Sequence, residues 1–262
     1  MLPDGEPSVP DGEPSVPDGE PSVPNGELHV PNGELHVVDD VPAAFVDLVV
    51  RQVGIELADR SRVRDEPFSL VLSGGSTARE CYERLALRTG LDWAHIECLV
   101  GDERCVPAED PDANQRMIRE ALIERVEPHP RFLPMDCDAP PEVYQVVIAA
   151  RPQLDLVHLG LGPDGHTASL FPGSAALQAP PDRLVQRNAD PSGFNRHERL
   201  TLTFAGIARA RLVVFTVSGA DKNEALSRAL HHEDLPATRV HADRVVWLCD
   251  RGAIGSKTLA VG

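Results

Sequence analysis

The sequence predicts an α/β protein, a three-layer α/β/α sandwich with a mostly parallel, Rossmann-like central sheet, and three observations carry that prediction. Short apolar runs alternate with segments of helical periodicity from Val38 onward, several runs end in glycine, and polar residues capable of chemistry gather directly after those runs. Strand, glycine turn and helix repeated in that order imply parallel strands joined by crossover helices, with functional residues at the carboxyl ends of the strands.

Val41 to Ala58 places Phe45, Leu48, Val49, Val53 and Leu57 at helical spacing. Phe68 to Leu72 reads as a short strand ending in Ser-Gly-Gly, and Thr77 with Glu80 as a capping box that opens a helix through Leu87. Ile96 to Val100 is a strand ending in Gly-Asp-Glu-Arg, Asn114 to Val126 a helix, and Leu154 to Leu161 a buried strand ending in glycines. Leu200 to Phe204 and Leu212 to Val217 are further strands, the second followed by a helix over Ala220 to Leu230, and Val245 to Leu248 closes the series. Residues 38–262 are therefore expected to form a single domain.

Ahead of it, residues 3–37 are five copies of a seven-residue unit, PDGEPSV three times and then PNGELHV twice. The period equals a heptad, but each copy carries Pro followed by Asp-Gly or Asn-Gly, which specifies a turn rather than a helix. One or two apolar residues per copy bury too little surface to offset chain entropy, so residues 1–37 are expected to be a disordered or loosely turned tail.

The chain of 262 residues is 42% hydrophobic and 25% charged, enough to bury a full core. Its formal net charge is −16, of which eight negative charges lie in the repeat. A field of that sign repels phosphate backbones and anionic lipid, so neither nucleic acid nor membrane is an expected partner. The longest apolar runs fall far short of the roughly 18 residues of a membrane span, and the acidic N-terminal end carries no export signal. Five cysteines, odd in number and without a CxxC pair, argue against a disulfide framework or a zinc site, and a cytoplasmic location is expected.

Three strand ends invite chemistry. Ser73-Gly74-Gly75-Ser76-Thr77 offers a tight turn, exposed N–H groups, hydroxyls and the positive end of a helix; an anion cradle and an ordinary strand-to-helix turn both fit it. Asp102-Glu103-Arg104 crowds two acids and a base, as a solvated turn or a functional cluster would. Gly160 to Gly165 matches GxGxxG, but Asp182, at the expected offset, follows Ala-Pro-Pro rather than a second strand, which argues against a dinucleotide. His166 follows directly, two residues from Asp164. An imidazole of pKa ~6.5 is suited to take a proton from water, and a nearby carboxylate can orient its tautomer. Of ten histidines, His166 alone sits in a recognisable constellation. Lys222, one of two lysines, lies at a helix start after Ser218-Gly219, as a phosphate donor or as a solvated helix residue, and Arg199 is a second cationic candidate. The chain carries no HExxH and no GxSxG signature.

Taken together, LSGGST at Leu72, GDERCVP at Gly101, NQRM at Asn114, LGLGPDGHTASLFPG at Leu159, RLTLT at Arg199 and GADKNEAL at Gly219 resemble the 6-phosphogluconolactonase family, related to the glucosamine-6-phosphate isomerases. The resemblance runs from about Val37 to Asp250. It implies a three-layer fold, hydrolysis of 6-phospho-D-glucono-1,5-lactone to 6-phosphogluconate, no cofactor and no required metal. His166 would be the general base, with Asp164 beside it, and Asp102 and Arg104 would line the pocket, the guanidinium stabilising developing charge on the carbonyl oxygen. Ser73, Gly74, Gly75, Thr77, Asn114, Arg199 and Lys222 would hold the phosphorylated sugar lactone. The family often has Pro, an aromatic, Ser and Tyr where this chain has Ala78, Cys105, Ala113 and Gln115. The related isomerases carry a glutamate at the place of Phe171, so a hydrolase is the simpler expectation. A glucosamine-6-phosphate type isomerase or deaminase and a non-catalytic sugar-phosphate sensor are the rivals, and a monomer is expected.

Overall fold

A computed structural model describes residues 30–60 and 66–255. Seven strands form the central sheet: β1 (Glu34–Val37), β2 (Phe68–Leu72), β3 (Ile96–Val100), β5 (Arg131–Leu133), β6 (Leu154–Gly160), β9 (Ala210–Val217) and β10 (Arg244–Cys249). Their order is β1-β10-β9-β6-β2-β3-β5, and every neighbouring pair is parallel. The expected parallel sheet is the one found. Burial explains the composition of its strands, since β2 and β3 are covered on both faces and are apolar except for Ser69 and Glu97, which pair with Asp155 and Arg151. The helices are α1 (Val41–Arg60), α2 (Ser76–Ala86), α3 (Asn114–Ala121), α4 (Pro141–Ala149), α5 (Phe204–Ile207), α6 (Asn223–Leu230) and α7 (Arg251–Ile254). No helix among the described residues is long and apolar enough to cross a membrane.

Three expectations need correction. First, β4 (Asp102–Arg104), β7 (Val185–Asn188) and β8 (Arg199–Leu202) form a separate three-stranded antiparallel sheet in the order β4-β8-β7. The run at Leu200 thus leaves the parallel alternation, and the charged GDER segment is a strand rather than a turn. Second, the last repeat copy, Pro31–Val37, is folded together with Val30, the final residue of the copy before it. Val30 is buried, Asn32 Nδ2 donates to the carbonyls of Ala237 (3.0 Å) and Val240 (2.9 Å), and β1 pairs with β10. The boundary expected after residue 37 therefore falls inside ordered chain, because pairing with an open sheet edge supplies the backbone partners that the unit cannot supply itself. The first copies, to residue 29, lie outside the described residues.

Third, Cys105 and Cys137 form a disulfide, with Cα atoms 5.2 Å apart, between the end of β4 and the chain leading into α4. Spacing in sequence does not reveal such a pair, because the fold decides which Cβ vectors meet. Cys81, Cys98 and Cys249 are buried thiols, and cysteine usage carries no argument about compartment. The expected helix ends also shift: Gly75, not Thr77, is the N-cap of α2, so no capping box forms, and a short 3₁₀ turn over Ala220–Lys222 precedes α6.

Chain order reverses between β2 and β6. From β2 the chain proceeds outward through β3 to β5, then returns to place β6 on the other side of β2. In open parallel sheets the crevice at such a reversal receives the ligand, since the loops that follow the two strands diverge. Those loops are the double-glycine turn after β2 and the Gly160–His166 segment after β6.

Candidate active site

One cavity of about 220 Å³ opens at this crevice. Of the eleven residues expected from sequence, nine line it: Ser73, Gly74, Gly75, Thr77, Asp102, Arg104, Asn114, His166 and Lys222. Asp164 touches it only through His166, and Arg199 lies off its wall.

The side of the cavity formed by the double-glycine turn is built by close approach. A β-carbon on Gly74 would stand 2.0 Å from Asn114 Oδ1, and Asn114 is itself fixed by donating through Nδ2 to the Asp102 carbonyl at 2.8 Å. Gly75 has φ +103°, a conformation open to glycine at little cost. Since α2 has no side-chain cap, its first N–H groups and positive end are left open at the cavity that Ser76, Thr77 and Ala78 line. Lys222 approaches from β9; its Nζ lies 3.5 Å from the exposed Asp221 carboxylate. Asp250 ties this segment down, accepting from Ser218 Oγ at 2.5 Å and from the Gly219 N–H at 3.0 Å.

On the opposite side, His166 Nδ1 lies 2.5 Å from Asp164 Oδ1, which also accepts the His166 N–H at 3.1 Å. Burial works to raise the Asp164 carboxyl, but hydrogen bonds to His166 and its charge outweigh burial and hold it below the usual range. An ionised carboxylate can only accept, so the neutral imidazole carries its proton on Nδ1 and has a free lone pair on Nε2. Gly162 is obligatory here, because a β-carbon would meet His166 Nδ1 at 2.1 Å. The ring packs on buried Phe171, with centroids 4.9 Å apart.

The charged trio of β4 divides its work. Glu103 points away from the cavity, and its carboxylate accepts the N–H groups of Arg104, Asn114 and Gln115, each at 2.7 Å. Burial raises its carboxyl above the ordinary value against those three bonds. Glu103 is thus the anion at the start of α3, which fixes Asn114. Asp102 accepts from Ser169 Oγ at 2.6 Å, joining β4 to the chain just beyond His166. Arg104 donates through Nη1 to the Asp112 carbonyl at 2.6 Å and presents the rest of its fork to the cavity. Arg199 is its antiparallel partner on β8, and the two side chains share a face. It is buried, and its Nε and Nη1 have no hydrogen-bond partner. Burial first, and then the charge of Arg104, lower its proton affinity.

Two lining residues escaped the sequence reading, His158 and Thr216. His158 looked like part of an apolar strand, and His166 is therefore not the only histidine in a constellation. Among the described residues no group of three or more His, Cys, Asp or Glu side chains is placed to hold a metal ion.

The profile of the family described as Glucosamine-6-phosphate isomerases/6-phosphogluconolactonase matches residues 40–247. The 6-phosphogluconolactonase of Synechocystis sp. is 39% identical over 207 residues, covering 71% of this chain and 82% of the relative. That of Thermotoga maritima is 33% identical over 210 residues, covering 78% and 93%. The crystal structure of 6-phosphogluconolactonase from Thermotoga maritima aligns with a TM-score of 0.70 at 31% identity, over 84% of this chain and all of the other. A monomeric glucosamine-6-phosphate deaminase aligns with a TM-score of 0.69 at 17% identity, a likeness of fold alone. With profile, relatives and fold in agreement over most of its length, the chain belongs to the glucosamine-6-phosphate isomerase/6-phosphogluconolactonase family.

Proposed function

We propose that the protein hydrolyses 6-phospho-D-glucono-1,5-lactone to 6-phosphogluconate, with water activated by His166. The observation that carries this reading is a single cavity with an oriented imidazole on one side and an uncapped helix start with a lysine on the other. The phosphate is the strongest handle on such a substrate, and fixing it positions a carbonyl several bonds away.

In the reaction, His166 Nε2 accepts a proton from water as the water oxygen bonds to the lactone carbonyl carbon. Charge developing on the carbonyl oxygen is stabilised by Arg104, and Asp164 balances the imidazolium. When the tetrahedral intermediate collapses, the bond from carbon to ring oxygen breaks, the proton on Nε2 passes to that oxygen, and the acid ionises to solvent. Ser73, Gly74, Gly75, Thr77 and Lys222 hold the phosphate; Asn114 holds the turn open; Arg199 reinforces the positive field behind Arg104. A free sugar phosphate as substrate suits a cofactor-free, monomeric enzyme of the cytoplasm, and the charge of −16 disfavours polyanionic partners. Isomerisation needs a carboxylate to shuttle a proton between carbons, and Phe171 stands at that place.

The test is lactone hydrolysis with the spontaneous background subtracted. The parent should turn over and His166→Ala should lose about 10²- to 10⁴-fold in kcat. Ammonia and fructose 6-phosphate released from glucosamine 6-phosphate, with no gain on the lactone, would reverse the assignment; a His166→Ala protein as active as the parent would remove the base.

A further inference from the structure

His158 is fully buried on β6, no step above uses it, and it borders the cavity floor. It is the middle of a polar chain that starts and ends in the anion cradle. The Ser73 N–H donates to the Tyr82 hydroxyl at 2.7 Å. That hydroxyl lies 2.8 Å from His158 Nδ1 and 3.2 Å from the Ser73 carbonyl, and His158 Nε2 lies 2.8 Å from Thr216 Oγ1. A phenol has one proton, and the closer acceptor is the ring nitrogen. With Nδ1 accepting, the neutral imidazole carries its proton on Nε2 and donates to Thr216.

The ring is held neutral: burial pushes its pKa down to about 3, and Phe45 packs over it with centroids 4.3 Å apart. Thr216 Oγ1 thus accepts from the ring, and its own proton is left to point into the cavity that the residue lines.

We propose that Thr216 donates a hydrogen bond to the substrate phosphate, and that His158 is a positioning residue that fixes the direction of that donor and couples it to the Ser73 turn through Tyr82. Both ends of the chain lie at the phosphate side: Ser73 opens the double-glycine turn, and Thr216 is the penultimate residue of the strand that leads to Lys222. The inference rests on reading this cavity as a sugar-phosphate site, but not on the chemistry performed there.

The experiment is calorimetric binding of inorganic phosphate and 6-phosphogluconate to the full chain, with lactone kinetics alongside. Thr216→Val should weaken phosphate binding about tenfold, and Thr216→Ser should recover most of that loss. His158→Leu should cost a similar factor, and adding Thr216→Val to it should cost less than about twofold more. In kinetics the loss should fall on KM rather than kcat. Where His158→Leu fails to fold, Tyr82→Phe takes its place in the cycle, since it removes the phenolic proton and leaves the ring. Parent-like phosphate affinity in Thr216→Val, or losses that simply multiply, would overturn the inference. Weakened phosphate binding in Thr216→Val and His158→Leu, with a parent that binds phosphate but leaves the lactone untouched, would support it while sinking the lactonase reading.

Discussion

Asp164 and His166 share a hydrogen bond of 2.5 Å between residues two apart, closed by a turn in which the Gly162 N–H donates to the His166 carbonyl at 2.8 Å. The imidazole and the carboxylate are thus held by one short loop, which the Ala237 N–H anchors from outside by donating to the Gly165 carbonyl at 3.1 Å. Asp164→Asn keeps an acceptor but loses the charge that balances the imidazolium, and kcat should fall about 10²-fold with KM changed little. Steady-state lactone kinetics check this; an unchanged kcat would assign Asp164 to the loop alone.

Gly74→Ala puts a methyl into the space of Asn114 Oδ1, and Asn114 cannot swing away without giving up its bond to the Asp102 carbonyl. The expected cost is about 1–3 kcal/mol of stability, together with weaker phosphate binding. In the background of Asn114→Ala the penalty of Gly74→Ala should largely vanish, since the amide has vacated the space. Thermal melts of the four proteins measure it, and strict additivity would refute the clash.

Stability should respond to acid through His158. Folded, it stays neutral down to about pH 3; unfolded, it takes a proton near ~6.5. Between those values the unfolded chain binds more protons, so stability present above ~6.5 drains as pH falls, at up to about 1.4 kcal/mol per unit. His158→Leu lacks this drain. Urea unfolding at pH 7 and pH 5 should show the gap between parent and variant shrinking by roughly 2 kcal/mol, whereas a constant gap would mean the ring is charged when folded.

The disulfide from Cys105 to Cys137 spans 32 residues of chain. Constraint of the unfolded state by a loop of that size is worth up to about 3–4 kcal/mol. Cys105→Ser should lose that amount, reductant should bring the parent to the same midpoint, and the variant should ignore reductant. A parent indifferent to reductant would show that the two thiols are not joined in solution.

What the sequence makes legible is what local geometry demands. The double-glycine turn and the Gly162–His166 loop are visible because nothing larger than glycine fits beside Asn114 or the imidazole, and the parallel sheet is visible because strands buried on both faces are predominantly apolar. What it hides depends on contacts far apart along the chain. Asp102, Glu103 and Arg104 look like a solvated turn until β8, almost a hundred residues later, pairs with them. Glu103 looks like a candidate for chemistry, yet its carboxylate is spent on the start of α3. His158 is silent because its partners lie 76 and 58 residues away, and Arg199 is a buried cation beside Arg104 on the neighbouring strand, off the cavity wall.

The folding of the final heptapeptide into the sheet sets a limit on trimming. Gly33 lies so close to Val245 that a β-carbon would stand 2.5 Å from its carbonyl oxygen, and Glu34 pairs with Arg244 through two hydrogen bonds, at 2.9 and 2.8 Å. Removing everything through Val37 would strip the outermost strand and leave β10 with a row of unpaired amides and carbonyls, a template for self-association. Copies of the unit upstream of Val30 can be added or deleted as a separate experiment; the last one is structural, and a shortened protein that clumps would report a raw sheet margin rather than a lost activity of the repeat.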